Sequence, residues 1–438
     1  MTCIPRLPSL PGRALAVIAN ARSKGFFHLL SASLFIRFLG FGAQLLVARF
    51  LTRTELGQIK AMQSFLDVGT VLAGFGFSTA ALKLCSENRP IPERAFIFRQ
   101  SLLHSTLPTM VVLAGLWVLA SLHLLSPDPA VNQLIPTYAL TIPALVYATL
   151  FIVYLQARRK IQLLAKAQVV IRTAGLTVLV LLTYLFGIRG FVWASVAAGT
   201  LAVLPLYAIV RAELATAVPV PNTLAQSLYY AKWSVAGNGV STLGAYMDIF
   251  MLNYFATDRE RLGCYGLATI FITGLNYIIT TIQSISTPYF SEKSQSRQEF
   301  LRVLTKYQKL IILVAFGVSL ASAAVVPPFI SLVFGQKYAA SGVYFRILLV
   351  KYFFASCYAL LGVALIGIGK MRYNFLSVAI SVPVSVLLNI VLIRRHGFVG
   401  AALAQALAYL VALVAVTQFS RRAIGAHFDA VEQAAAHP

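Results

Sequence analysis

Three basic side chains lie deep inside strongly apolar stretches of the sequence, namely Arg37, Arg172 and Lys351. An unpaired charge at the centre of a membrane helix costs at least about 2.5–3.5 kcal/mol, so these residues must face water or the protein interior. Grouped cations in a low-dielectric cavity attract an anion strongly, because the Coulomb energy rises as the dielectric constant falls. They predict an anion site, and a phosphate-bearing substrate is the expected class.

The sequence is consistent with two roles for each of several other polar residues in the apolar stretches. Arg49 lies within two turns of a helix end, where it either reaches the lipid headgroups or adds to the cation site. Asp67 and Asp248 either carry a proton or cation for energy coupling or pair with nearby cations. Tyr344 and Tyr358 stand seven residues on either side of Lys351 and either contact sugar rings or pack between helices.

Polar side chains follow regular helical spacings inside the same stretches. One stripe consists of Thr269, Thr273, Asn276, Thr280, Gln283 and Thr287, which fall on one line of a 3.6-residue helix. Shorter stripes include Ser33 and Gln44 in the first apolar stretch and Asn238 and Ser241 in the seventh. Lipid cannot satisfy such faces, so they line a substrate path or, alternatively, hydrogen-bond between packed helices.

The elements that position these residues are membrane helices. The chain is 59% hydrophobic and 11% charged, whereas a soluble domain carries roughly 25% charged residues. A span needs roughly 20 mostly apolar residues. About twelve such segments are predicted, near 28–51, 62–84, 100–124, 134–156, 163–187, 190–211, 228–255, 262–287, 309–334, 342–366, 374–393 and 399–420. The fold class is therefore an all-α integral membrane protein.

Charge sets the predicted orientation and the division of the chain. Most of the 36 Lys and Arg residues fall on the side of the N-terminus, so both termini are expected in the cytoplasm. The predicted parts are a basic tail over 1–27, a six-helix lobe over 28–211, a cytoplasmic linker over 212–227, a second six-helix lobe over 228–420 and a cytoplasmic tail over 421–438.

The second half of the chain repeats the first. Lys160 precedes Gly187-Ile188-Arg189-Gly190 by 27 residues, and Lys370 precedes Gly397-Phe398-Val399-Gly400 by the same distance, with an offset of 210 between the two sets. A looser match near residues 50–57 and 255–263 has offsets of 205–206. Because six helices is an even number, the two halves enter the membrane from the same side, which predicts a parallel repeat typical of transporters.

Several functions lack their expected motifs. The sequence contains no HExxH, paired CxxC, GxSxG or phosphate-binding loop, so no catalytic site, metal site or cofactor is predicted. The net charge of +23 is explained by topology and anionic headgroups, and no nucleic-acid partner is expected.

The order of several short motifs resembles the bacterial polysaccharide-transport and O-antigen flippases of the multidrug/oligosaccharidyl-lipid/polysaccharide exporter superfamily. These are Leu46 to Thr52, Glu55-Leu56-Gly57, Gly74-Phe75-Gly76, Phe334 to Tyr338, Gly369-Lys370 and Gly397 to Ala402. The usual Gly-Pro after the first helix is here Thr52-Arg53.

The resemblance implies two parallel six-helix lobes around a cationic cavity lined by segments 1, 2, 7 and 8. By motif position, Arg49 corresponds to the arginine of the family's first helix. The implied function is translocation of an undecaprenyl-pyrophosphate-linked oligosaccharide across the bacterial inner membrane by alternating access, for O-antigen, exopolysaccharide or lipopolysaccharide biosynthesis. A glycan polymerase and other assembly proteins are the partners expected.

For the pyrophosphate that the resemblance implies, the predicted contacts are Arg37, Arg172 and Lys351, with Arg49 as a further candidate, and the sugars are predicted on the polar faces of segments 7 and 8. One alternative is a multidrug exporter of the same superfamily, which requires an acidic cavity. Another is a membrane glycan polymerase, an enzyme that needs a larger outward loop than the sequence provides. The expectation is a transporter and not an enzyme.

Overall fold

A computed structural model describes residues 26–87, 89–256, 258–294, 296–370 and 372–436, and no strand occurs among them. The predicted basic tail over 1–27 lies almost wholly outside the described residues. The helices, numbered in chain order, are α1 (Phe26–Phe50), α2 (Arg53–Gly74), α3 (Phe77–Ser86), α4 (Ile91–Ser121), α5 (Pro129–Ala139), α6 (Thr141–Ala157), α7 (Ile161–Leu214), α8 (Thr223–Phe255), α9 (Arg259–Glu292), α10 (Arg297–Phe334), α11 (Ala339–Gly367) and α12 (Arg372–Ala436).

Side-chain caps fix where several of these helices begin. Thr52 and Glu55 form a capping box at the start of α2, in which each side chain accepts a hydrogen bond from the other residue's backbone N–H. The carboxylates of Asp128 and Asp258 accept backbone N–H groups at the starts of α5 and α9. Unpaired N–H groups at these ends would otherwise need solvent.

The helices suit a membrane environment. Among the described residues, seven helices are long and apolar enough to cross a membrane, and an eighth results if α2 and α3, which meet at a 46° bend, count as one span. The bend lies at Phe75 and Gly76, both with left-handed backbone angles. A Cβ on Gly76 would overlap the carbonyl oxygen of Ala231, so glycine lets α3 and α8 approach closely.

The two longest helices each reverse direction at a glycine. Gly187 in α7 has φ 59° and ψ −139°, and Gly397 in α12 has φ 57° and ψ −130°. In a straight helix residues eight apart are roughly 12 Å apart along the axis, yet Gly190 lies against the carbonyl of Leu182 and Gly400 against that of Leu392. The chain therefore folds back at both turns, which have the same geometry and the predicted spacing of 210.

Each folded-back helix covers two of the predicted segments: 163–187 and 190–211 in α7, and 374–393 and 399–420 in α12. The count of twelve spans itself stays a prediction. The boundaries differ most at α2, which begins nine residues before the predicted segment at 62, and at α12, which stays helical through the predicted tail to Ala436.

The buried apolar residues form two separate cores. One is built from residues 47–231, and the other from residues 249–428 together with Ala48, Leu56 and Ala61. We call these parts the N-terminal and C-terminal lobes. Ala231 belongs to the first core and Leu252 to the second, so α8 starts on one lobe and ends on the other.

The two lobes meet where α2 touches α9. The touching residues occupy corresponding positions in the two halves of the repeat. A Cβ on Gly57 would come within 3.0 Å of the backbone N of Gly263, and the side chain of Lys60 lies against Gly266. Both pairs are 206 residues apart, the offset that the sequence predicts for this part of the repeat. The axis that relates the two lobes therefore passes near this contact.

Candidate functional site

The N-terminal lobe encloses a cavity of about 490 Å³, which we call the N-lobe cavity. Side chains from α1, α2, α6 and both limbs of α7 form its walls, and Ile270 and Tyr277 of α9 close it from the other lobe. Its size falls within the roughly 300–1,000 Å³ of small-molecule sites.

Three cations line this cavity: Arg37, Lys60 and Arg172. Arg37 donates a hydrogen bond to the Thr280 hydroxyl of α9, and its guanidinium lies 5.4 Å from the centre of the Tyr277 ring. These contacts hold Arg37 between the lobes. Of the predicted site residues, the structure therefore brings Arg37 and Arg172 into one cavity and adds Lys60.

Among the described residues that line the cavity there is no carboxylate. Neither Lys60 nor Arg172 has a hydrogen bond or ion pair with a described residue, and the carboxylate that acts on Lys60 from a longer distance is Asp67. Gln44, Gln63, Gln168 and Ser195 add uncharged hydrogen-bonding groups to the walls. Charge-assisted hydrogen bonds from such cations are stronger than neutral ones, and phosphate is an ideal acceptor.

Sequence reasoning missed Lys60, because it placed this residue in the connection before segment 2. The signal was present: Thr52-Arg53-Thr54-Glu55 is a capping-box pattern that starts the helix at Arg53. With that start, Lys60 lies two turns into α2, on the same face as Gln63, which also lines the cavity.

Lys351 does not line the N-lobe cavity. Its ammonium lies 4.9 Å from the centre of the Tyr409 ring, in the C-terminal lobe. Tyr344 is buried and packs against Tyr265 and Phe398. Tyr358 instead lines a second cavity, which also receives Asn276, Thr280 and Gln283 from the predicted stripe of α9.

The remaining stripe residues lie elsewhere. Thr269 and Thr273 donate to backbone carbonyls of their own helix. Asn238 donates to the Ser234 hydroxyl, and Asn238 and Ser241 are exposed and line neither cavity. Gln44 lines the N-lobe cavity. The side chain of Ser33 lies outside those that the structure describes.

Arg49 lies on a different surface, an apolar groove of about 1,030 Å³ between α1, α7 and α10. Phe38, Leu46, Tyr184 and Phe329 are among the residues that line it, and Arg49 is its one charged lining residue in the described part of the chain. The exposed guanidinium stands in the last turn of α1, at the end of this groove.

The two predicted coupling carboxylates both accept hydrogen bonds from tyrosines. Asp67 of α2 accepts from Tyr246 of α8, which joins the two lobes. Asp248 is 2% exposed and accepts from the Tyr265 hydroxyl and the Ile249 N–H. Neither carboxylate forms a salt bridge with a described residue.

Polar contacts also fasten the lobes together at one end of the bundle, where α1 joins α2, α4 joins α5 and α8 joins α9. Ser126 donates to Asn253 over 2.8 Å, and Arg259, which bonds Asn253 within its own lobe, reaches Asp128 of the other lobe at 3.8 Å. Arg53 pairs with Glu260, and Tyr254 donates to the Leu124 carbonyl. We call this set of contacts the inter-lobe clasp. It closes the lobes at that end.

Among the described residues, no group of three or more His, Cys, Asp or Glu side chains is placed to hold a metal ion. The site thus consists of cations and uncharged polar groups.

Comparison with known proteins places this geometry in context. A family model described as "Polysaccharide biosynthesis protein" matches residues 46–342. The probable low-salt glycan biosynthesis flippase Agl15 of Haloferax volcanii is 27% identical over 201 residues, which are 43% of this chain and 40% of that protein. The match thus spans less than half of the relative's length.

Solved structures share the fold at low sequence identity. The lipid II flippase MurJ in an inward closed conformation has a TM-score of 0.73 at 14% identity, covering 89% of this chain and 86% of its own. An inward-facing multidrug resistance MATE family transporter of the MOP superfamily has a TM-score of 0.70 at 14% identity, covering 90% and 94%. The chain therefore shares the fold of these two structures.

Proposed function

Because the chain belongs to the polysaccharide biosynthesis protein family, we propose that it is a flippase for a lipid-linked oligosaccharide. The observation that carries this proposal is the N-lobe cavity, in which Arg37, Lys60 and Arg172 meet without a carboxylate. The relative Agl15 is named a probable glycan biosynthesis flippase, which supports the same substrate class.

The proposed substrate is an oligosaccharide joined to undecaprenol through a diphosphate. Its two phosphates carry negative charge that complements the three cations, and the low dielectric constant of the membrane interior strengthens that attraction. Arg37 and Arg172 come from the sequence prediction, and Lys60 joins them. Lys351 and Arg49 contact other surfaces, so we leave them out of the diphosphate site.

Transport proceeds by alternating access of the two lobes. The inter-lobe clasp closes one end of the bundle, and opening it while the other end closes would expose the N-lobe cavity to the opposite side. Asp67 and Asp248 are the residues proposed to take up a proton or cation that couples to this step. The Tyr246–Asp67 bond joins the lobes, so its loss accompanies their separation.

The proposed location is the bacterial inner membrane, with both termini in the cytoplasm and a glycan polymerase acting downstream. The products served are O-antigen, exopolysaccharide or lipopolysaccharide. In this role the protein is a transporter and makes or breaks no covalent bond.

The test is to delete the gene and measure lipid-linked oligosaccharide in membrane extracts by mass spectrometry. We expect the intermediate to accumulate, and the wild-type gene to clear it. A gene for the Arg37→Gln/Arg172→Gln variant should fail to clear the intermediate. A gene for Arg395→Gln should clear it, because Arg395 is an exposed cation outside the cavity. If nothing accumulates and drug efflux falls, the chain is instead a multidrug exporter, the alternative that the MATE-like fold allows.

A further inference from the structure

A second cavity lies in the C-terminal lobe, with a volume of about 300 Å³, and we call it the C-lobe cavity. It is lined by α9, α11 and both limbs of α12, and none of its described lining residues is charged. Its polar lining residues are Asn276, Thr280, Gln283, Ser356, Tyr358, Ser377 and Ser381. This volume is at the lower end of the range for small-molecule sites.

The C-lobe cavity is the repeat counterpart of the N-lobe cavity. Lining positions of the two cavities correspond at the offset of 210 that separates Gly187 from Gly397. The corresponding pairs are Leu145 and Ala355, Ala148 and Tyr358, Ile152 and Gly362, Gln168 and Val378, Ile171 and Ser381, Ala202 and Ala412, and Leu206 and Val416. The two cavities thus occupy equivalent places in the two lobes.

Their chemistry differs at these equivalent places. The counterparts of Lys60 and Arg172 are Gly266 and Val382, so the C-lobe cavity lacks both cations. In exchange it has a phenol at Tyr358 and a hydroxyl at Ser381 where the N-lobe cavity has Ala148 and Ile171. One cavity therefore suits an anion, and the other suits an uncharged polar ligand.

The polar groups of the C-lobe cavity are available to a ligand. Ser356 and Ser377 donate to carbonyls of their own helices over 2.7 and 2.8 Å, which leaves their oxygen lone pairs to accept. Asn276 and the Tyr358 hydroxyl have no hydrogen bond to a described residue. Amide, hydroxyl and aromatic groups together match the hydroxyls and the apolar faces of sugar rings.

Helix α9 is the wall between the two cavities. Ile270 and Tyr277 face the N-lobe cavity, whereas Asn276 and Thr280 face the C-lobe cavity. The hydrogen bond from Arg37 to Thr280 therefore joins a cation of one cavity to a hydroxyl of the other.

We propose that the C-lobe cavity is a carbohydrate subsite that binds one sugar unit of the lipid-linked glycan while the N-lobe cavity binds its diphosphate. This inference rests on the proposed function. The repeat thus provides two equivalent cavities, and the sequence has made one cationic and the other neutral.

The test uses the matched positions Ile171 and Ser381. Each is replaced by cysteine in full-length protein from which Cys3 and the partly exposed Cys357 have been removed, and labelling by a small methanethiosulfonate reagent is timed in detergent. The probes are farnesyl diphosphate and the lipid-linked glycan fraction extracted from cells that lack the gene. Farnesyl diphosphate should slow labelling at Ile171→Cys alone, and the glycan fraction should slow it at both positions.

A second variant measures affinity directly. Asn276→Leu removes an amide that has no described partner, so folding should be unaffected. Loss of one ligand hydrogen bond should weaken binding of the glycan fraction about tenfold, since about 1.4 kcal/mol corresponds to a factor of ten. Binding of farnesyl diphosphate should be unchanged.

The outcomes separate the two proposals. If the glycan fraction protects only Ile171→Cys and Asn276→Leu binds it normally, the carbohydrate subsite is wrong and the flippase stands. Equal weakening of both probes by Asn276→Leu also overturns the subsite. If neither probe protects either position, the proposed function fails, and the inference fails with it.

Discussion

At the scale of single residues, the proposed diphosphate site depends on cations that form no ion pair with a described residue. Lys60 and Arg172 form no ion pair with a described residue, whereas Glu213 near the far end of α7 is paired with both Arg158 and Lys160. A cation already paired offers little to a ligand. The unpaired cations are thus the ones that define the proposed diphosphate site.

Lys60 provides a direct prediction at this scale. Lys60→Gln keeps the length and polarity of the side chain but removes its charge, so affinity for farnesyl diphosphate should fall about tenfold or more, the value of a hydrogen bond to a charged group. Isothermal titration calorimetry of the purified protein with farnesyl diphosphate measures this affinity. Lys60→Arg should retain most of the affinity.

Lys306→Gln is the control for this prediction, because Lys306 is an exposed cation on α10 and lines no part of the N-lobe cavity. Its affinity should equal that of the wild type. An equal loss in Lys60→Gln and Lys306→Gln would show that overall charge, and not the cavity, attracts the diphosphate.

The sequence predicted that cations lie inside the membrane segments, and the structure places Arg37 and Arg172 on one cavity and Lys351 elsewhere. Buried cations in apolar segments are costly, which is why Arg37 and Arg172 could be identified from sequence alone. Lys351 avoids the cost of an unpaired charge in another way, because its ammonium lies over the Tyr409 ring. Periodicity shows that a charge faces the protein interior, but only tertiary packing decides which cavity it faces.

At the scale of elements, two glycines decide the fold of α7 and α12. Gly187 has φ 59° and ψ −139°, a combination of backbone angles that residues with a Cβ rarely adopt. The repeat in sequence predicted these turns, because both Gly187 and Gly397 begin the same four-residue pattern. Helix ends were harder to predict, since hydropathy does not register the polar turns with which α2 and α10 begin.

Gly187→Ala should therefore destabilise the protein by roughly 1–3 kcal/mol, the cost of a strained backbone conformation. Thermal unfolding in detergent, followed by loss of monodisperse protein, gives the change in midpoint. Gly317→Ala is the matched control, since Gly317 lies inside α10 with no atom within 4 Å of where its Cβ would be. Gly317→Ala should be neutral or slightly stabilising. Similar midpoints for the two variants would refute a strained turn at Gly187.

At the scale of the whole molecule, one polar contact joins the two lobes and another holds α8 on the N-terminal lobe. The clasp joins Ser126 of the N-terminal lobe to Asn253 of the C-terminal lobe. The Thr79–Ser234 bond, 2.7 Å long, joins α3 to the first part of α8, which packs on the N-terminal core. Alternating access must break the first contact and can keep the second.

Cross-linking distinguishes these contacts. A short bis-methanethiosulfonate reagent on Ser126→Cys/Asn253→Cys should abolish clearance of the lipid-linked intermediate, and a reductant should restore it. The same treatment of Thr79→Cys/Ser234→Cys should leave clearance unchanged. Full clearance by the cross-linked Ser126/Asn253 pair would rule out opening of the clasp during transport.

The two-lobe architecture followed from the repeat in the sequence, whereas composition indicated only the membrane helices. The central role of α8 did not follow. Its residues carry no sign that Ala231 packs with one core and Leu252 with the other, since this depends on where the partner helices lie.

The division into two cores also predicts the order in which the two lobes fold during translation. The N-terminal core needs nothing beyond Ala231, so it can close while translation continues, as domains generally fold in the order of synthesis. The second core waits for Phe428, which packs on Phe300. Meanwhile Leu56 and Ala61 of α2, which belong to the second core, stay uncovered. Nascent chains arrested between these two points should therefore expose that face of α2 to the insertion machinery.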